Sequence, residues 1–354
     1  MAHRKPTVLD LFSGCGGLSR GFMDAGYHIL LGVDNNDSAL ETFKLNHNGA
    51  DAINLDLSDK KSIGIIKKIL GSNQPDIIVG GPPCQGFSLT GPRNFDDKRN
   101  KLYLAMIETV KEFKPKAFLI ENVPGLARLY EGKVKDEIIK RFTRLGYNVN
   151  MQIICTADYG VPQIRRRVVF IGIKKTLGKF EFPKPILSPT NYLTCEDAIG
   201  DLPSRVDDFG NEIDKYSHSP KSNYQKKMRD NGDILLNHVA SRHTDLVKSI
   251  IAQVPEGGNY KNLPKGVGDN RKFNEAWTRY HSKKPSRTID TGHRNHFHYK
   301  YNRIPTVREN ARLQSFPDSF RFVGTRTEQN RQVGNAVPPL LGYYIGREIL
   351  KYIK

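Results

Sequence analysis

Residues 8–22 read VLDLFSGCGGLSRGF, and this stretch decides the fold. Val8–Phe12 has the apolar character of a buried strand, and Gly14, Gly16 and Gly17 follow it directly. Glycines at that position let a ligand approach the backbone at the carboxyl edge of a parallel sheet, because no β-carbon stands in the way. Further short apolar runs recur at Ile29–Asp34, Ala52–Asp56, Asp76–Gly80, Ala117–Val123, Val149–Ile154 and Arg167–Ile173. Between them Ser38–Leu45, Lys60–Leu70, Leu102–Phe113 and Val134–Leu145 carry the helical period. Strands alternating with helices predict an α/β domain, a doubly wound and mostly parallel sheet covered on both faces.

The alternation stops near Lys175, where Pro183, Pro185, Pro189, Pro203 and Pro220 interrupt any long element. A second, smaller and irregular domain is expected here. One helix is predicted inside it, capped by Thr244, with Leu246, Val247, Ile250, Ile251 and Val254 on one face. A helical period returns at Val307, Ala311 and Leu313, and an apolar stretch covers Val337–Ile345. The expected boundaries are 1–178 for the first domain and 179–306 for the second, with 307–354 returning to complete the first.

Of 354 residues, 38% are apolar and 26% charged, which excludes compositional disorder. Lys and Arg total 55 against 37 Asp and Glu, for a net charge of +18. The excess is spread along the chain, +7 over residues 1–174, +7 over 175–310 and +4 over 311–354, so it belongs to a surface rather than a tail. Charge of this size and spread points to a polyanionic partner. Cys15, Cys84, Cys155 and Cys195 form no Cys-x-x-Cys pair, which argues against a zinc ribbon or a disulfide framework and fits a reducing cytoplasm. No stretch approaches the ~18 apolar residues of a membrane span.

The glycine turn calls for a nucleotide-like ligand. A dinucleotide fingerprint requires a third glycine where Ser19 stands, so a pyrophosphate on the helix start, and with it an NAD-dependent dehydrogenase, is disfavoured. Asp34 ends the second strand run, 18 residues after Gly16, and can accept from ribose hydroxyls; Asp56 ends the third and can accept from an exocyclic amine. Together they predict an adenosine-containing cofactor.

GGPPCQGFS places Cys84 just past a strand, in a loop stiffened by Pro82 and Pro83 and loosened by Gly86. AFLIENVPG places Glu121 and Asn122 at the end of what should be the next parallel strand, so thiol and carboxyl project over one edge. With no His positioned for a protease-like pair, the chemistry open to them is activation of an electron-poor ring. Thiolate addition to carbon 6 of cytosine, with the acid donating to ring nitrogen 3, makes carbon 5 an enamine-like nucleophile able to take an electrophilic methyl group. In QIRRRVVF, Arg165 and Arg167 alternate onto one face and can lower the thiol pKa and hold a phosphate.

Taken together, FSGCGG, GGPPCQGFS, ENV, QIRRRVVF, RLQSFPD and RQVGNAVPP, in this order, resemble the DNA (cytosine-5)-methyltransferase family of bacterial and phage restriction-modification systems. The resemblance implies S-adenosylmethionine as donor, S-adenosylhomocysteine as product, and a cytosine flipped out of double-stranded DNA as acceptor, since neither face of a stacked base is open to a thiol. It implies a catalytic set of Cys84, Glu121, Arg165 and Arg167. Cofactor-binding positions carried over are Phe12, Gly14, Gly16, Asp34, Asp56, Leu57, Pro83, Leu102, Asn335 and Val337. Asn122 and Gln163 support the site, Gln163 on the DNA side. The loop 85–101 closes over DNA with Ser88, Thr90 and Arg93 near the backbone, and residues 176–306 match the variable target-recognition region. There KPSRTIDTGHRNHFHY offers Arg287, Thr288, Thr291, His293, Arg294 and Asn295 for base edges and phosphates. His293, His296 and His298 lack an acid or cysteine at metal-binding spacing, so no metal is expected. Trp277 and Tyr280 are expected to pack. The expectation is a cytoplasmic monomer with no membrane contact. A transfer-RNA methyltransferase is the nearest rival, disfavoured because Gly86-Phe87-Ser88 follows Cys84-Gln85 where that branch carries PFT. A catalytically silent DNA-binding regulator is disfavoured by intact Cys84 and Glu121.

Overall fold

The computed structural model describes residues 4–83, 101–268, 276–292 and 295–354. Seven strands form one sheet: β1 (Thr7–Leu11), β2 (His28–Asp34), β3 (Asp51–Asn54), β4 (Ile77–Gly80), β5 (Ala117–Asn122), β6 (Tyr147–Cys155) and β7 (Arg166–Lys174). Their order is β3-β2-β1-β4-β5-β7-β6. Pairs from β3 through β5 are parallel, whereas β7 runs antiparallel to both β5 and β6. The sheet is mostly parallel, with one reversed strand.

Helices α1 (Gly17–Asp24), α2 (Asp37–Asn46), α3 (Lys61–Leu70), α4 (Lys101–Phe113) and α5 (Lys133–Arg144) alternate with these strands. β1, β4 and β5 are buried along their whole lengths, which explains their unbroken apolar runs. Leu9, Leu11, Ile78, Ile120 and Phe170 meet Met106, Ile138 and Phe142 in the core. Phe118 stacks on Phe142, with ring centroids 4.0 Å apart. Burying such side chains contributes about 1.5–3 kcal/mol each.

The chain forms two compact units: Met1–Cys155 with Arg166–Lys184 and Leu341–Lys354, and Thr156–Arg165 with Pro185–Leu340. Re-entry into the first unit therefore falls at Leu341, later than the Val307 read from the helical period. The reason is the packing of α9 (Val307–Leu313), which is buried along its whole length within the second unit. The tip between β6 and β7 also belongs to the second unit.

The second unit holds α6 (Cys195–Ile199), α7 (Asn223–Met228), α8 (Asp245–Gln253), α9 and α10 (Arg326–Asn335); α11 (Pro339–Ile353) begins at its end and continues in the first unit. With few regular elements, this unit relies on buried charge pairs. Arg312 is fully buried, bound through Nε and Nη2 to Asp318 at 2.9 and 2.6 Å and through Nη1 to Asp201 at 2.6 Å. Arg303 makes a two-pronged pair with Glu309 at 2.8 and 2.7 Å, and Arg308 donates to the carbonyls of Leu236, Pro317 and Phe320. The RLQSFPD string is thus an organising centre for the irregular chain.

Thr244 does cap α8, accepting from Val247 N at 3.3 Å. The expected apolar face is only half buried, however: Ile251 and Val254 are covered, while Leu246 is 70% exposed and Val247 also lies open. At nine residues the helix is too short for its first turn to reach the core that Ile251 joins. Tyr280 is buried and stacked on His296, and Trp277 lies against Phe297, so both pack.

Candidate active site

The glycine turn leaves β1 with Phe12, Gly14 and Gly16 all at positive φ, 58°, 52° and 89°. Ser13 N donates to Val33 O and Gly14 N to Asp34 Oδ2, at 3.0 and 2.8 Å, so the turn is fastened to the end of β2. Asp34 Oδ1 also accepts from Asn35 N and Asn36 N at 2.8 and 3.0 Å. Burial raises the Asp34 carboxyl above its ordinary range against the opposing pull of those amides. Beneath the turn, His47 Nδ1 meets Phe43 O at 2.8 Å and Nε2 meets Gly16 O at 3.1 Å. The imidazole is buried, which lowers it to about 4. A β-carbon at Gly16 would stand 2.2 Å from His47 Cε1. Only glycine suits both the backbone angle and that floor.

On β1, Asp10 is buried and accepts from Ser19 Oγ at 2.6 Å; burial pushes its carboxyl up to about 7. Ser19 therefore has a packing role, anchoring α1 to the sheet at the position where a dinucleotide fold carries glycine. His47, Asp10 and the Asp10–Ser19 bond were not singled out from sequence, because nothing in the spacing marks a side chain that works from below the turn.

β3 ends at Asn54, so Asp56 sits two residues past the strand in an exposed turn. There it accepts from Ser58 N and Ser58 Oγ, both at 2.8 Å, while Leu57 is buried beside it. Pro83 is exposed and Leu102 packs against the core. Asn335 is exposed at the end of α10 and Val337 follows it, both in the second unit.

Glu121, the penultimate residue of β5, is almost fully covered, and Arg167 Nε lies 2.8 Å from its Oε1. The N–H points too obliquely for a formal hydrogen bond, so the contact is a charge pair that orients the carboxyl. A β-carbon at Gly81 would be 3.3 Å from Glu121 Oε2, which sets the carboxyl beside the Pro-Pro loop. Asn122 Nδ2 donates to Pro82 O at 2.7 Å and fastens the same loop two residues before Cys84. Cys84, Ser88, Thr90, Arg93, His293 and Arg294 lie outside the described residues.

Arg165 is buried at the end of the 156–165 tip, and Arg167 opens β7. Arg287 and Thr288 are exposed in the second unit, and Thr288 Oγ1 donates to Ile164 O at 3.0 Å. Gln163, expected toward DNA, has no accessible surface; its amide accepts from Ile289 N and donates to Leu313 O. A side chain enclosed and bonded in this way holds protein segments together and does not meet nucleic acid.

The turn suits a polar ligand. Ser13 Oγ is buried with no hydrogen-bond partner among the described residues, and nothing lies within 4 Å of where a β-carbon of Gly14 would stand. An unmet hydroxyl beside open backbone fits a nucleoside with an amino-acid arm.

Comparison with known proteins agrees. The fold and site define an S-adenosylmethionine-dependent methyltransferase. A prophage-encoded candidate DNA modification methyltransferase (E. coli) superposes with a TM-score of 0.80 at 28% identity, covering 99% of each chain. The S. pombe Dnmt2 methyltransferase shares the fold at a TM-score of 0.58 and 18% identity, over 98% of this chain and 99% of its own. Residues 6–351 match the family described as C-5 cytosine-specific DNA methylase, and the chain belongs to that family. It is 40% identical over 352 residues to the type II methyltransferase M1.HphI of Haemophilus parahaemolyticus, spanning 98% of this chain and 87% of that protein. It is 36% identical to M.DdeI of Desulfomicrobium norvegicum, over 98% and 89%. The chain is an S-adenosylmethionine-dependent cytosine-5 methyltransferase. No helix among the described residues is long and apolar enough to cross a membrane.

Proposed function

We propose that this enzyme methylates carbon 5 of one cytosine, flipped out of a short specific sequence in duplex DNA, and that it protects that DNA from a cognate restriction enzyme. The observation that carries the chemical reading is the Glu121 carboxyl, oriented by Arg167 at 2.8 Å and set beside the loop that leads to Cys84. Duplex DNA as substrate is supported by the net charge of +18, by the exposed Arg287 and Thr288, and by the type II methyltransferases that the chain resembles along nearly its whole length.

In this reading Phe12, Gly14, Gly16, Asp34, Asp56, Leu57, Pro83, Leu102, Asn335 and Val337 hold the cofactor, which supplies an electrophilic methyl group. The Cys84 sulfur forms a bond to carbon 6 of the ring, and Glu121 delivers a proton to nitrogen 3 as the carbon 5–carbon 6 π pair becomes nucleophilic at carbon 5. Arg165 and Arg167 balance the negative charge of thiolate and carboxylate and orient the ring. After carbon 5 is alkylated, a water molecule takes its proton, the Cys84 sulfur departs from carbon 6 with its bonding pair, and nitrogen 3 returns its proton to Glu121, which restores the aromatic system. Ser88, Thr90, Arg93, Arg287, Thr288, His293 and Arg294 contact the duplex, and the second unit selects the sequence.

Labelled methyl transfer to duplex DNA and to transfer RNA, measured side by side, tests the substrate; transfer to RNA alone overturns it. A duplex carrying 5-fluorocytosine at the target should trap the enzyme covalently when donor is present, and a duplex that never crosslinks overturns the role of Cys84.

A further inference from the structure

Gln163 opens the arginine motif QIRRRVVF, yet its side chain faces inward and joins three separate stretches of chain. Its Oε1 accepts from Ile289 N and its Nε2 donates to Leu313 O, both at 3.3 Å. Around it the backbone pairs with Ser286 in an isolated parallel bridge. Ile164 N donates to Ser286 O at 2.8 Å, and Ser286 N donates to Pro162 O at 3.0 Å. A few residues on, Asp290 and Thr291 rest on α10. A β-carbon at Gly334 would stand 2.4 Å from Asp290 O and 3.0 Å from Thr291 N. Segment 286–291 is therefore fixed by the bridge, by the buried amide and by a backbone seat that only glycine provides.

The other end of the bridge is the turn bearing Arg165. Arg165 N donates to Gln163 O at 3.1 Å, Thr156 Oγ1 donates to the same carbonyl at 2.8 Å, and Thr156 N donates to Arg165 O at 2.9 Å. All these residues belong to the second unit, whereas Arg166 and Arg167 open β7 in the first. The arginine motif is thus divided: its first arginine is built into the body that carries 286–291, its last into the body that carries Glu121.

We propose that Gln163 is a positioning residue that ties segment 286–291 to Arg165, so that the exposed Arg287 and Thr288 and the proposed catalytic arginine are held in one frame. This rests on the duplex-DNA reading above. A loosened tie changes rate and sequence discrimination together, because Arg165 and the exposed Arg287 and Thr288 lose their common frame.

The test compares wild type, Gln163→Met and Gln163→Glu. The substrates are a duplex containing the sequence that bisulfite mapping assigns to wild type, and its single-base variants. Gln163→Met removes both amide bonds at nearly constant volume. Its kcat on the cognate duplex should fall ~10-fold or more, with the cognate-to-variant ratio of kcat/KM narrowed by a similar factor, the equivalent of roughly one buried hydrogen bond. Calorimetric affinity for S-adenosylhomocysteine should stay within about twofold, since a general loss of structure would weaken it. A carboxyl kept protonated by burial accepts and donates as the amide does, so Gln163→Glu should lie closer to wild type. Should Gln163→Met fail to fold, Gly334→Ala, which displaces Asp290–Thr291 from the opposite side, should narrow the same ratio. Discrimination equal to wild type in the folded variants overturns the tie, whatever happens to the rate. A wild-type enzyme inactive on any duplex defeats the substrate reading first, and so the two failures are distinguishable.

Discussion

Replacing Gly16 by alanine isolates the floor beneath the glycine turn. At φ 89° an L-residue costs ~1–2 kcal/mol in backbone strain. The new methyl group would stand 2.2 Å from His47 Cε1 and 2.7 Å from Phe43 Cδ2, and forced overpacking of that kind costs ~1–3 kcal/mol. The sum is ~2–5 kcal/mol, relieved by lifting the turn off His47. Gly14→Ala is the matched control for the unliganded chain: φ is also positive, at 52°, but no protein atom of the described residues lies within 4 Å of the added carbon, so only the backbone cost applies to its stability. Thermal unfolding without cofactor should show Gly16→Ala less stable than Gly14→Ala by the ring clash of ~1–3 kcal/mol. Its melting temperature should be lower by a few degrees, since a chain longer than ~250 residues shifts by about 2 °C or less per kcal/mol. Adding His47→Ala should return part of the loss. Equal melting temperatures for the two unliganded alanine variants would refute the claim that His47 and Phe43 set the height of the turn.

Cys84→Ser and Glu121→Gln should each lower methyl transfer by at least ~100-fold while duplex binding, measured by anisotropy, persists, because both groups act on the reacting ring; a wild-type rate in either removes its assigned role. Asp10→Asn tests the buried carboxyl on β1. With the folded group raised to about 7, the unfolded chain releases that proton first, so wild-type stability falls as pH rises from about 4 to 7. Urea midpoints across that window should decline more steeply for wild type than for Asp10→Asn, and parallel curves would show that Asp10 does not titrate there. Arg312→Leu leaves the buried Asp201 paired with Arg229 and Asp318 with Tyr216 and the more distant Arg308, which should cost about 3 kcal/mol in urea unfolding; a change under about 1 kcal/mol would mean the network is dispensable.

The α/β unit was legible because its strands are buried on both faces and its helices on one, patterns that composition and period record directly. Val8–Phe12, Ala117–Val123 and Arg167–Ile173 all appear within two residues of their expected places. The reversed direction of β7 was not legible, since a strand covered on both faces has the same apolar run whichever way it points. Asp56 was placed on a strand that stops at Asn54, because strand ends depend on the neighbour's length. Gln163 illustrates a different limit. Its type and spacing are compatible with a groove contact, and only the tertiary partners Ile289 and Leu313 decide that it turns inward. Leu246 and Val247 show the converse, an apolar period left open because the helix is brief.

The tip between β6 and β7 bears on how sequence preference could be transplanted among relatives. A chimaera exchanging only residues 185–340 would keep the host's 156–165, and the incoming 286–289 stretch would face a foreign partner strand. If the second unit selects the sequence, as proposed, a workable graft has to carry both pieces, a discontinuous pair of segments rather than one cassette.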